Sequence, residues 1–137
     1  MYIMKRNEKE LQKKNFSLTS RLKSFRPAFH GIGTLLKYEH NTRIYLFILI
    51  IVIVAGILLQ ISATDWLAIL FVSGLVFASE CFNTAVEYLS DMITDERNEN
   101  IRRAKDVAAA GVLISSGVSV ITGLIIFIPE LLILLDR

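Results

Sequence analysis

The chain is poor in the residues that build disulfides, metal cages and phosphate-cradling loops. It has one cysteine among 137 residues, Cys81, so no disulfide forms within the chain and no Cys/His spacing of a metal site exists. It has neither a Walker A loop nor the glycine-rich loop of protein kinases, which removes the common soluble nucleotide-binding scaffolds. The first 17 residues are lysine-rich and polar, without the short apolar core and small-residue cleavage site of a secretory signal, so no processing is expected. Insertion into a membrane then falls to internal segments. No internal repeat or low-complexity tract is present, and the only prolines are Pro27 and Pro129.

What the chain has in excess is apolar surface. Its apolar fraction is 53%, above the roughly 45–50% usual for soluble globular chains. Residues 44–64 carry no charge, and at about 1.5 Å per residue they reach about 30 Å, the thickness of a bilayer's hydrocarbon core. A second apolar segment follows from Asp65 to about Leu89 and a third from Val107 to Ile128, where Pro129 and Glu130 are expected to end or kink it. The expected architecture is all-α and integral to the membrane, with spans at about 44–62, 66–91 and 105–128.

The net charge of +2 hides an asymmetry: residues 1–43 hold ten Lys/Arg against three Glu, and residues 44–137 hold five against ten Asp/Glu. The link between the first two spans, about Gln60 to Asp65, has no Lys or Arg, whereas D-M-I-T-D-E-R-N-E-N-I-R-R-A-K-D between the second and third has four. The positive-inside rule places the N-terminus and this second loop in the cytoplasm and the C-terminus outside. Ahead of the first span, Leu18, Leu22, Phe25, Phe29, Ile32 and Leu36 recur at spacings of three and four. That stripe predicts an amphipathic helix over about 18–40, lying on the cytoplasmic surface with Arg21, Lys23 and Arg26 at its flanks. Pro27 is expected to break or kink it, and residues 1–17 are expected to be a flexible basic lead.

The second span carries a polar stripe. Glu80, Asn83, Glu87 and Asp91 fall at about 0°, 300°, 340° and 20° around a helix. Eleven Leu, Ile, Phe or Val residues between 66 and 89 supply about 3–7 kcal/mol for insertion, against about 3 kcal/mol for a central carboxylate. The helix inserts with Glu80 inside it, while Glu87 and Asp91 belong at its cytoplasmic end. Such a stripe is either a packing seam, with Asn83 and Thr84 bonding a neighbouring helix, or a functional site. Polar groups thin out beyond Glu80, where only Ser73 and Ser79 remain, which favours chemistry entered from the cytoplasm over an ion path through the whole span.

Glu39, in K-Y-E-H-N-T-R, and Lys105-Asp106, in R-R-A-K-D, stand at the same inner level. If the helices pack together, Glu39, Glu87 and Lys105 converge there. Carboxylates suit a hard divalent cation such as Mg²⁺, and a lysine can neutralise a γ-phosphate. Charge stabilisation and positioning are most of what phosphoryl transfer asks of a protein. The plainer alternatives are a positive-inside flank for Lys105-Asp106 and a surface pair of Glu39 with Arg43.

E-C-F-N-T-A-V-E-Y-L-S-D, followed by A-K-D-V-A-A-A-G-V-L, resembles the signature of the prokaryotic diacylglycerol kinase family, which includes diacylglycerol and undecaprenol kinases. The resemblance covers about residues 18–128 and includes E-x-x-x-R at Glu39 and Arg43. It implies an ATP-dependent, Mg²⁺-dependent kinase of a lipid hydroxyl at the cytoplasmic face of the bacterial inner membrane, a homotrimer with shared active sites and no nucleic-acid partner. By motif, Glu80 matches the catalytic base, Glu39 and Glu87 the metal ligands, and Asn83 a supporting residue. Lys105 and Asp106 match the nucleotide-contacting pair, and Glu96 and Asn98 fall where the inter-helix loop meets nucleotide. Arg21 matches a basic residue of the surface helix, while Pro27 stands in place of that helix's nucleotide-binding aromatic. Phe82 and Ser90 replace aliphatic residues that supply none of the chemistry. The acceptor implied is a polyprenol or diacylglycerol, the former slightly favoured by the surface-helix pattern. The competing class is a non-enzymatic membrane protein, either a proton or ion conduit or a helix-packing subunit.

Overall fold

A computed structural model describes residues 18–93 and 98–136, with the side chains of 18–22 and 24 excepted. The lead over 1–17 lies outside the described residues. Those described form four helices, α1 (Leu18–Tyr38), α2 (His40–Leu59), α3 (Ala63–Ile93) and α4 (Glu99–Leu135), and no strand. The chain divides into two compact units, residues 1–34 and 35–137.

In the first unit the described part is α1 up to Thr34. Its apolar positions Phe25, Phe29 and Ile32 are exposed. The expected break at Pro27 does not occur, because α1 is continuous through it. A proline removes one backbone donor, here the one that would reach residue 23, and the turns on either side keep theirs. The interruption falls instead at Glu39, which has extended φ/ψ of −91° and 116° and separates α1 from α2.

The second unit is a body of three long apolar helices, each long and apolar enough to cross a membrane. Of the most apolar window of α3, 33% is buried, against 11% for α2 and 6% for α4, so α3 is the central element. Its buried residues Ile69, Val72, Val76, Glu80 and Thr84 recur at three and four, one stripe facing the other two helices. α3 packs mainly on α4. Most of the α2 and α4 surface is Leu, Ile, Val and Phe left exposed among the described residues. A helix apolar on all sides belongs in lipid or against another subunit.

The α2–α3 turn is built locally. Gln60 takes the left-handed conformation (φ 54°, ψ 43°), and the Ile61 amide donates to the Gly56 carbonyl at 3.2 Å. Ser62 and Asp65 then cap α3 reciprocally: Ser62 N and Oγ donate to Asp65 Oδ2 at 3.1 and 2.6 Å, and the Asp65 amide donates to Ser62 Oγ at 3.2 Å. Behind the turn, Ile61, Ile69 and Ile126 are buried together, with Leu49, Val52, Trp66 and Phe127 packed against them. A methyl group on Gly56 would lie 2.9 Å from the Trp66 ring and from Ile61 Cδ1, so glycine there permits the close approach.

α4 begins at a cap in which the Asn98 side chain accepts from the Asn100 and Ile101 amides at 2.9 and 3.3 Å. The helix then runs through Pro129 to Leu135, so the expected stop or kink near residue 128 gives way to an uninterrupted helix. Its 37 residues span about 55 Å and exceed the hydrocarbon core, leaving the charged first turns beyond it.

Candidate active site

The polar stripe of α3 and the first turn of α2 face one another in the second unit. Glu80 is 2% exposed, and its Oε2 has no hydrogen-bond partner. The side-chain amide of Asn41 is directed at this carboxylate, and Glu39 and Glu87 both lie within electrostatic reach of it. Three carboxylates therefore share one neighbourhood. A lone buried carboxylate with one free oxygen is costly unless it serves a purpose.

Secondary contacts orient the set. Asn83 Nδ2 donates to Glu87 Oε1 at 2.8 Å, an i,i+4 pair that leaves the buried Asn83 Oδ1 without a partner. Tyr88 Oη donates to Glu39 Oε1 at 3.5 Å, a long contact that joins the segment between α1 and α2 to α3. Lys105 Nζ pairs with Asp91 Oδ1 at 2.7 Å, tying the start of α4 to the end of α3, with Glu87 also within its electrostatic reach. Glu39, Glu80, Glu87 and Lys105 thus lie along one face of the body. Asp106 does not join them: it pairs with Arg102 at 2.8 Å, and Arg102 also holds Glu99 at 2.9 Å. The Asn98 side-chain oxygen is engaged in capping α4. Glu96 and the side chain of Arg21 lie outside the described residues. Phe82 is 75% exposed on the outer side of α3, away from the carboxylates.

Among the described residues no group of three or more His, Cys, Asp or Glu side chains is placed to hold a metal ion by itself. The donor set at Glu39 and Glu87 nevertheless fits a hard cation of the Mg²⁺ kind, which takes one or two carboxylates and fills its other positions with water and phosphate oxygens.

Two neighbours were not singled out by sequence. Asn41 and Thr42 sit in K-Y-E-H-N-T-R, where they read as ordinary flank residues, yet Thr42 is 1% exposed. A signal for Thr42 exists in the sequence, because residues 42, 45, 49 and 52 follow a three-four spacing along the face of α2 turned toward α3.

The helical fold and a buried carboxylate with two part-buried ones near it, at one end of three spans, define a membrane protein with a site for charge-handling chemistry. Comparison with known proteins narrows this. The family model for prokaryotic diacylglycerol kinase matches residues 26–127, and the chain belongs to that family. It is 36% identical over 109 residues to the undecaprenol kinase of Bacillus subtilis, covering 80% of this chain and 89% of that one. It is 34% identical over 115 residues to the diacylglycerol kinase of a Synechocystis species, covering 83% of this chain and 66% of that one. The protein is a lipid kinase of the membrane.

Proposed function

We propose that the protein transfers the γ-phosphate of ATP, with Mg²⁺, to the primary hydroxyl of a membrane lipid at the cytoplasmic face. The observation that carries this reading is the buried Glu80 carboxylate, whose Oε2 lacks a partner while Glu39 and Glu87 stand nearby. In the proposed step, Glu80 takes the proton of the lipid hydroxyl as its oxygen forms a bond to the γ-phosphorus. The bond from that phosphorus to the bridging oxygen breaks, and ADP leaves with the electron pair. Glu39 and Glu87 would hold Mg²⁺, which when bound neutralises charge on the phosphates. Asn83 holds Glu87 in place through its 2.8 Å bond. Lys105, released from Asp91, is assigned to the γ-phosphate, with Asp106, Glu96, Asn98 and Arg21 as further nucleotide contacts.

Glu80 lies seven residues inside Glu87, about 10 Å along the helix. That separation fits a division of labour in which the lipid approaches from the membrane side and the nucleotide from the aqueous side. A polyprenol is the favoured acceptor, supported by the 36% identity and 89% coverage of a relative named undecaprenol kinase. Diacylglycerol is the alternative, supported by the second relative. Three copies are the proposed assembly, for which the uncovered apolar faces of α2 and α4 leave ample surface. The N-terminus and the α3–α4 loop are assigned to the cytoplasm and the C-terminus to the outside.

The test is phosphate transfer from radiolabelled ATP to undecaprenol and to diacylglycerol, each in detergent micelles. Transfer to the prenol well above diacylglycerol is expected. The reverse preference would reassign the acceptor, and transfer to neither would remove the kinase reading from this chain.

A further inference from the structure

Hydroxyl side chains on these helices find partners in different ways, Ser116 Oγ with Tyr45 Oη at 3.4 Å among them. Thr34, Ser79, Ser115 and Thr122 each donate to a carbonyl three or four residues back in their own helix, at 3.1, 2.9, 3.0 and 2.9 Å. That back-bonding satisfies even Ser115, which is 3% exposed. Thr42 and Thr84 behave differently: they are 1% and 4% exposed, and Oγ1 of each has no partner. For Thr42 the helix itself gives the reason. It is the third residue of α2, and four residues back lies Tyr38, the last residue of α1, across the extended Glu39. No carbonyl of its own helix stands four residues behind it, the Glu39 carbonyl three residues back receives no bond from it, and its hydroxyl is left for something else.

A buried hydroxyl without a partner is destabilising, and a valine of the same shape would fill the space without that cost. Thr42 does not stand alone in this. The buried side-chain atoms without partners among the described residues are Thr42 Oγ1, Glu80 Oε2, Asn83 Oδ1 and Thr84 Oγ1. Three belong to one stretch of α3, and Thr42 adjoins Asn41, which is directed at Glu80 from α2. Two hydroxyls that can donate and two oxygens that accept are thus left without partners on α2 and α3. A group that is both donor and acceptor, and has one oxygen, complements them: an alcohol donates to Glu80 and accepts from a threonine. On the membrane side, an apolar cavity lined by Tyr45, Leu49, Val72, Val76 and Phe77 begins about one turn from Thr42 and Glu80. Hydrocarbon attached to such an alcohol would find aliphatic walls there.

We propose that Thr42 is a further substrate-binding residue, its hydroxyl donating to the oxygen of the lipid alcohol so that the alcohol's proton points at Glu80 Oε2 and its second lone pair remains free to attack phosphorus. The assignment rests on the lipid-kinase reading above and names the group on α2 that would complete it. Thr42→Val removes the donor and keeps the shape, while Thr42→Ser keeps the donor. The measurements are KM for the lipid alcohol and for ATP, with melting temperatures alongside. The valine variant should melt no lower than the parent, raise the lipid KM about tenfold or more and leave the ATP KM unchanged. The serine variant should stay near the parent in all three. Should valine prevent folding, Thr42→Ala is read by the same criteria. A valine variant with the parent's lipid KM and kcat, or one whose two KM values worsen together with its melting temperature, overturns the assignment while leaving the kinase reading intact. A parent protein that phosphorylates no lipid alcohol overturns both.

Discussion

Glu80 is the residue on which the chemistry turns. It is 2% exposed, yet one of its oxygens has no partner, an arrangement that packing alone would not favour. Glu80→Gln keeps the shape and removes the base, so phosphate transfer should fall by roughly 10²–10⁴-fold. The fold should persist, since the exchange takes a charge out of the interior; a melting curve alongside the lipid assay checks both. A variant with the parent's turnover would show that another group takes the proton. Lys105 makes a contrasting case, because its pair with Asp91 is solvent-exposed. Lys105→Met should leave the melting temperature close to the parent's and weaken ATP in steady-state kinetics, as exposed pairs do little for folding. The carboxylates were legible in the sequence because charged residues in an apolar run are conspicuous. Thr42 was less so: its three-four spacing with Tyr45, Leu49 and Val52 marks one face of α2, but only its burial shows that this face turns inward.

Among the elements, the sharpest constraint is at the turn between α2 and α3. Gly56 stands where an added Cβ meets the rigid Trp66 ring at 2.9 Å. Gly56→Ala should cost about 1–3 kcal/mol by overpacking, seen as a lowered melting temperature with little change in the KM for ATP. The site residues are far along both helices from this turn, which is why stability and nucleotide affinity should separate. Helix existence followed from apolar runs and from the stripe before the first span. Helix ends did not, since Pro27 and Pro129 pointed to interruptions that the backbone does not make. Local propensity lost to the hydrogen bonds of the flanking turns. The real break, at Glu39, carries no proline or glycine to announce it.

For the molecule as a whole, the contrast is between polar side chains buried within one chain and long apolar faces left exposed among the described residues. Lipid or further copies must cover those faces, and cross-linking in detergent should trap a species of three copies. A molecule that binds ATP with Mg²⁺ also gains stability by mass action. At one hundred times the dissociation constant the gain is about 2.7 kcal/mol, visible as a raised melting temperature. Chelating the metal should cancel that shift and stop phosphate transfer, and added Mg²⁺ should restore both. A conduit or packing subunit would show no such nucleotide-dependent shift.

By itself the sequence determined that this is an all-α membrane protein with three spans and a one-sided polar stripe, because hydropathy and helical period are properties of consecutive residues. Its paired motifs also carried the family resemblance. Only the tertiary structure decided that Tyr88 reaches Glu39, that Lys105 is held by Asp91 while Asp106 turns to Arg102, and that Thr42 is buried. Those facts depend on which faces of separate helices meet. That choice is made by packing between residues far apart in the chain, and no local pattern records it.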